Sequence, residues 1–294
     1  MALELQQYKS ETKPDWCPGC GDFAVLSALT RALQVLQLPP WNVLLVSGIG
    51  CSSNITGFLS TYGYHGLHGR AVPVATGAKL ANPELTVIVA GGDGDGYGIG
   101  VGHFVHAMRR NLDLTYVVMN NEIYGLTTGQ ASPTSEKEHR TKSTPEGVIE
   151  NPINPIALAI ASGATFVARG FSGDTKTLLD ILVRGIRHKG FSLVDVMSPC
   201  VTYNKLNTHD WFKQRVYVVD KEGHDPKDVR AAMAKAMEWP NLDQKRDRVP
   251  TGVIFETDAY PTYEEQEPAL LKFGPPVKQK LGIENPEEFL REFY

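Results

Sequence analysis

Between residues 43 and 196 the chain repeats one unit: a short apolar run rich in β-branched residues, followed by a segment with helical spacing. The runs Val43 to Val46, Thr86 to Val89, Thr115 to Met119, Thr165 to Ala168 and Leu193 to Val196 are largely apolar on successive positions, which suits strands buried on both faces. A helix is expected from Phe23 to Gln37, capped by Asp22, because Leu26, Leu29, Leu33 and Leu36 recur three or four apart. Pro39 and Pro40 end it. Further helices are expected at Ile99 to Arg109, Pro155 to Ala161 and Thr175 to Lys189. This alternation predicts an α/β fold with a doubly wound parallel sheet. After Cys200 the pattern loosens, with helices expected at His209 to Arg215 and Pro226 to Glu238, a strand at Thr251 to Glu256, and a Pro- and Glu-rich tail from Asp258. Residues 1–215 are expected to form the ligand-binding domain, and 216–294 an irregular C-terminal extension that contacts a partner.

Charge and apolar patterning exclude other classes. The 294 residues carry 29 Lys and Arg against 33 Asp and Glu, so there is no basic field of the kind nucleic-acid binding needs. The first residues, Met1 to Trp16, show no signal or transit pattern. The longest apolar stretch, Ile153 to Ala168, is interrupted by Asn154, Pro155, Ser162 and Gly163, which argues against a bilayer span. A cytoplasmic protein is expected. In a reducing compartment its four cysteines, Cys17, Cys20, Cys51 and Cys200, suit a metal or redox site better than disulfides.

The densest chemical signal follows the second apolar run, where Gly91-Gly92-Asp93-Gly94-Asp95-Gly96-Tyr97-Gly98 separates a strand from a helix. Ligands bind at such strand ends in this architecture. No register gives the G-x-G-x-x-G fingerprint of dinucleotide sites. A calcium loop starting at Asp93 would place Phe104 where a bidentate Glu is required, and there is no Gly-Lys-Ser/Thr for a P-loop. What remains is a site where an acidic side chain meets phosphates through a divalent cation. The next strand ends in Asn120-Asn121-Glu122-Ile123, which parallel pairing brings beside Asp93. This Gly-Asp-Gly to Asn-Asn spacing resembles the diphosphate and magnesium site of thiamine diphosphate enzymes. The resemblance implies Mg²⁺ ligation by Asp93, Asn121 and the Ile123 carbonyl.

Cys17 and Cys20 form a C-x-x-C pair, while Cys51 and Cys200 are single and each lies just after a strand. A zinc ribbon ordinarily shows two such pairs. Four thiolates gathered at one sheet edge suit a [4Fe-4S] centre. Trp16-Cys-Pro-Gly-Cys-Gly-Asp, Gly48-Ile-Gly-Cys-Ser-Ser, Tyr64-His-Gly-Leu-His-Gly-Arg, Gly92-Asp-Gly-Asp and Tyr124-Gly-Leu-Thr-Thr-Gly-Gln together resemble the β subunits of 2-oxoacid:ferredoxin oxidoreductases, from about Trp16 to Arg215. The Gly-Leu-Thr-Thr-Gly-Gln form and Asn204-Lys-Leu-Asn-Thr are most similar to the 2-oxoglutarate type. The resemblance implies the thiamine diphosphate-binding fold, a cluster on Cys17, Cys20, Cys51 and Cys200, and a thiamine site lined by Ile49, Gly50, Cys51, Ser52, His68, Gly94, Asp95, Gly125 and Leu126. His68 is the candidate catalytic residue. His65, His103 and His106 read as structural, and Arg140 and Lys142 as a solvated face.

The implied reaction joins a 2-oxoacid, coenzyme A and oxidised ferredoxin to give acyl-CoA, CO₂ and reduced ferredoxin, and is reversible as a carboxylation. The thiazolium ring accepts the electrons left by CO₂, and the cluster passes them on. Nothing here substitutes for the Glu that activates the cofactor's aminopyrimidine. The resemblance places that Glu, with the pyrimidine-binding domain, on a separate α subunit, so an (αβ)2 assembly is expected and the chain alone should be inactive. Two other readings fit parts of the pattern: a thiamine diphosphate decarboxylase or synthase subunit without redox function, and a non-enzymatic metal-binding or electron-carrier module.

Overall fold

The computed structural model describes residues 2–240, 247–280, 282 and 285–291. Its strands are β1 (Val43–Ser47), β2 (Tyr62–His65), β3 (Thr86–Gly92), β4 (Thr115–Asn120), β5 (Ile123–Tyr124), β6 (Gln130–Ala131), β7 (Phe166–Phe171), β8 (Ser192–Met197), β9 (Val216–Val218) and β10 (Val249–Glu256). The α-helices are α1 (Asp22–Val35), α2 (Ala71–Ala81), α3 (Val101–Arg110), α4 (Pro155–Ala161), α5 (Thr175–Arg187), α6 (His209–Lys213), α7 (Val229–Ala236), α8 (Pro268–Phe273) and α9 (Pro286–Leu290). No described helix is long and apolar enough to cross a membrane.

Eight strands form one sheet in the order β2-β1-β3-β4-β8-β7-β10-β9, and β5 and β6 form a separate hairpin. From β2 to β7 every pairing is parallel, and β10 joins β7 antiparallel. Although the strands read as continuous apolar runs, each divides its side chains by the two-residue pleat. Val117 and Met119 of β4 pack with Leu29 of α1 and Ile181 of α5 in one layer. Tyr116 and Val118 enter the opposite layer, with Phe104 of α3 and Ile156 of α4. From β1 the chain goes outward to β2 and then returns to lay β3 on the other side of β1. Such a reversal opens a crevice at the carboxyl ends of the strands.

Five expectations are corrected. Asp22 does not cap α1 from solvent: it is the helix's first residue, fully buried, and its Oδ1 accepts a 2.5 Å hydrogen bond from Ser198 Oγ. The segment expected to begin a helix at Ile99 is instead the end of a π-helical turn, Gly94–Ile99, before α3. Helix α7 begins at Val229, where the Asp228 side chain accepts from the Arg230 and Ala231 amides. Strand β2 and helix α2 were not expected. All four β2 residues are exposed and lack apolar alternation, and α2 contains Pro73 and Gly77, which read as breakers. Pro73 is tolerated because it lies in the first turn. Finally, residues after 215 are not simply irregular, since β9 and β10 extend the main sheet and α7 packs on it.

The core makes a direct prediction. Phe166 on β7 is fully buried against the α5 layer, so Phe166→Ala should destabilise the chain by about 3–5 kcal/mol. Denaturant unfolding checks this, and a loss below about 1 kcal/mol would contradict the packing described.

Candidate active site

The crevice is a cavity of about 210 Å³ walled by three consecutive strand ends: Ile49 to Ser52 after β1, Gly92 to Asp95 after β3, and Asn121 to Thr127 after β4, with His68 on one side. Every residue expected at the thiamine site lines it, as do Asp93, Asn121 and Ile123. Tyr124 and Thr127 line it as well, without having been singled out from sequence.

Parallel pairing sets Gly92 against Met119, which puts Asp93 beside Asn120 and Asn121. Asp93 Oδ1 accepts from the Asn121 amide at 3.3 Å, and Oδ2 accepts from Thr134 Oγ1 at 2.6 Å. Burial pushes the Asp93 carboxyl up, against hydrogen bonds from Ser132, Thr134 and Asn121 that stabilise its charge. Among the described residues no Lys, Arg or His forms an ion pair with it. After Asn121 the backbone curls through Glu122 in the left-handed region, φ 58°, which is uncommon for a residue with a side chain. The Asn121 Oδ1 then accepts from the Ile123 amide at 3.1 Å. A buried carboxylate, an amide oxygen and a backbone carbonyl on one cavity wall are the hard oxygen donors that suit Mg²⁺. The donor set therefore fits the expected cation.

Asp95 is turned toward the protein. Its Oδ1 accepts from the backbone amides of Ile49 at 2.9 Å and Gly69 at 2.7 Å and from His68 Nδ1 at 2.9 Å. Because the carboxylate accepts, Nδ1 carries the ring proton, leaving Nε2 without a hydrogen bond among the described residues. Gly48 is required here, since a Cβ would lie 2.2 Å from the Asp95 oxygens. His65 instead has its Nδ1 3.2 Å from Ser47 Oγ and 3.1 Å from the Ser53 carbonyl, a structural position. Lys142 reaches Thr128 Oγ1 at 3.3 Å on the surface.

Behind this cavity lies a second, of about 120 Å³, lined by Cys17, Cys20, Cys51 and Cys200. The two share Cys51, Asn121, Gly125 and Leu126 as walls. A Cβ on Gly125 would lie 3.6 Å from Cys51 Sγ and 3.8 Å from Cys200 Sγ. Three contacts gather the segments: Trp16 Nε1 donates to the Cys51 carbonyl at 2.6 Å, the Gly21 amide donates to the Pro199 carbonyl at 3.2 Å, and Ser198 donates to Asp22. Gly21 permits this approach, because a Cβ would meet Ser198 Oγ at 2.6 Å. All four thiols are free. Burial pushes the Cys51 thiol up to about 11, helped by the charges of Asp22, Cys200 and Cys17. Burial raises Cys20 further, again with Asp22. Such mutually repelling thiolates are stable only beside strong positive charge, which iron would supply. Among the described residues no three His, Cys, Asp or Glu side chains converge on a single ion. Thiols spread around a cavity suit a multinuclear cluster, so they fit the expected group.

Comparison with known proteins agrees with this geometry. The family model "Thiamine pyrophosphate enzyme, C-terminal TPP binding domain" matches residues 48–196, and the model for the C-terminal part of the pyruvate ferredoxin oxidoreductase beta subunit matches residues 200–272. The beta subunit of the 2-oxoacid:ferredoxin oxidoreductase of Saccharolobus solfataricus is 48% identical over 286 residues, covering 92% of each chain. The KorB subunit of the 2-oxoglutarate oxidoreductase of Mycobacterium tuberculosis is 45% identical over 199 residues, 68% of this chain and 53% of that one. A solved 2-oxoglutarate:ferredoxin oxidoreductase from Magnetococcus marinus, with 2-oxoglutarate, coenzyme A and succinyl-CoA bound, superposes with a TM-score of 0.86 at 40% identity, covering 98% of this chain and 96% of that one. Similarity of this extent over nearly the whole chain settles its family: it belongs to the β subunits of the thiamine diphosphate-dependent 2-oxoacid:ferredoxin oxidoreductases.

Proposed function

We propose that this protein acts on 2-oxoglutarate, converting it with coenzyme A to succinyl-CoA and CO₂ and delivering electrons to ferredoxin, as a cytoplasmic (αβ)2 assembly. The relatives that act on 2-oxoglutarate and the solved structure with 2-oxoglutarate and coenzyme A bound support this choice of substrate. One observation carries the redox part of the reading: the diphosphate cavity and the thiol cavity share Cys51, Asn121, Gly125 and Leu126 as walls. Electrons leaving the first would therefore enter the second across one layer of residues.

Asp93, Asn121 and the Ile123 carbonyl would hold Mg²⁺, and Cys17, Cys20, Cys51 and Cys200 would hold a [4Fe-4S] cluster. When bound, thiamine diphosphate supplies the electron sink for decarboxylation and the cluster supplies one-electron acceptance. The chain's own residues position and shield. Asp95 fixes the Ile49 turn and the His68 ring through its three hydrogen bonds. His68, on the cavity wall, would offer its other ring nitrogen, Nε2, as a polar group to the reacting space. Leu126 and Ile49 form apolar walls that a covering α subunit would complete, and both are partly exposed in this chain.

Anaerobic purification with the α subunit should yield about four irons and one thiamine diphosphate per heterodimer. Thiamine without iron would establish the non-redox alternative, and zinc without thiamine would establish the metal-binding module. Cys51→Ser should retain thiamine diphosphate while losing iron and most ferredoxin reduction, whereas a non-redox enzyme would keep its turnover. Asp93→Asn should weaken Mg²⁺-dependent cofactor binding by more than about 100-fold, given the loss of a charged ligand. Equilibrium dialysis with labelled cofactor measures that loss, and unchanged binding would remove Asp93 from the cation site.

A further inference from the structure

The Asp93 carboxylate is held from behind by residues that touch neither cavity. Thr134, buried in the loop after β6, donates to Asp93 Oδ2 at 2.6 Å, and its hydroxyl also lies 3.0 Å from Asn120 Oδ1. Asn120 in turn donates from Nδ2 to Asp195 Oδ1 at 3.2 Å. Tyr97, in the π-helical turn that follows Asp93, donates to the same Asp195 oxygen at 3.0 Å. Asp195 on β8 stands directly opposite Arg169 on β7, with Nε and Oδ2 3.5 Å apart and both side chains fully buried. Arg169 Nη2 donates to the Trp239 carbonyl at 2.9 Å, and its guanidinium lies 5.1 Å from the centre of the Trp239 ring.

This line of contacts determines orientation. A carboxylate only accepts, so Asp195 forces the Asn120 amide to present Nδ2 to it, and Oδ1 must then face Thr134. The Thr134 hydroxyl lies between two acceptors, Asn120 Oδ1 at 3.0 Å and Asp93 Oδ2 at 2.6 Å, and its single proton goes to the nearer, so Oδ2 is held by Thr134 while Oδ1 is held by the Asn121 amide. Stability alone does not account for the Arg169–Asp195 pair, because replacing a buried ion pair with apolar side chains is often neutral or stabilising. Ala168 on β7 and Val194 and Val196 on β8, which flank it, are apolar and fully buried. The pair's position behind Asn120 and Tyr97 supplies a reason for its presence.

We propose that Thr134, Asn120 and the buried Asp195–Arg169 pair are positioning residues that fix the Asp93 carboxylate for its divalent cation, so that cation affinity is set from beneath the sheet edge. This rests on the reading of Asp93 as a Mg²⁺ ligand. Residues that orient metal ligands typically contribute 10- to about 100-fold to metal affinity.

The test uses the αβ complex stripped of cofactor, with thiamine diphosphate binding followed by tryptophan fluorescence as Mg²⁺ is varied. Thr134→Val, which keeps the shape and removes the hydroxyl, should raise the Mg²⁺ concentration for half-saturation by about tenfold or more. Thr134→Ser should restore it, and Asp195→Asn should move it in the same direction as Thr134→Val. Iron content and the melting temperature without Mg²⁺ should not change in Thr134→Val, which separates positioning from a general loss of structure. Thr134→Ala, which only removes atoms, serves if the valine variant does not assemble. An unchanged Mg²⁺ dependence in the assembled Thr134 variant overturns the proposal. Failure of the wild-type complex to bind thiamine diphosphate at any Mg²⁺ concentration would instead overturn the reading of the site on which it rests.

Discussion

The carboxyl edge of the sheet is organised by Asp95, whose single oxygen takes hydrogen bonds from Ile49, Gly69 and His68. These donors come from the loop after β1 and from the segment between β2 and α2, so one buried carboxylate joins the pieces that diverge at the topological reversal. It ties the Ile49 turn to the β3 end, adding to the packing of Ser52 against Gly92. Hydrogen bonds to an ionised acceptor are roughly twice as strong as neutral ones, and here they act away from water. Asp93, two residues earlier, lines the same cavity and accepts from Asn121 and Thr134, but it lacks a cationic partner among the described residues.

The thiol cavity depends on equally local means. Trp16, Gly21 and Ser198 each tie one cysteine-bearing segment to another. The thiol cavity is therefore assembled by the same contacts that close the N-terminal segment over the sheet, rather than by the cysteines themselves. With their titration points raised by burial, Cys20 and Cys51 are neutral thiols near neutral pH, so these contacts can gather them without charge repulsion, which arises only when they deprotonate toward a metal. The arrangement also accounts for the common wall, since Cys51 follows β1 directly and β1 is adjacent to β3.

Much of this could be read in the chain beforehand. The long apolar strands and the amphipathic α1 and α5 signal themselves by period, and Asp93, Asn121 and the C-x-x-C pair are signalled by local composition and spacing. Elements with no such signature could not be read in the same way. Strand β2 is an exposed edge held to β1 by backbone pairing and the Ser47–His65 contact, and α2 forms despite Pro73 and Gly77 because it packs against β3. The π-helical turn at Gly94–Ile99 was hidden because its glycines permit many conformations, and the Tyr97 to Asp195 hydrogen bond selects one.

The sequence by itself determined the layered α/β architecture, the cation-ligand candidates and the four thiols, because periodicity and short motifs are properties of neighbouring residues. Only the tertiary structure decided that Asp95 takes donors from Ile49, His68 and Gly69 while Asp93 takes them from Asn121 and Thr134, that β9 and β10 extend the sheet, and that Thr134 and Asn120 stand behind Asp93. Those facts depend on contacts between residues far apart in the chain, such as the 41 positions separating Thr134 from Asp93, and no local pattern encodes which of several acceptors a hydroxyl will meet once the strands have paired.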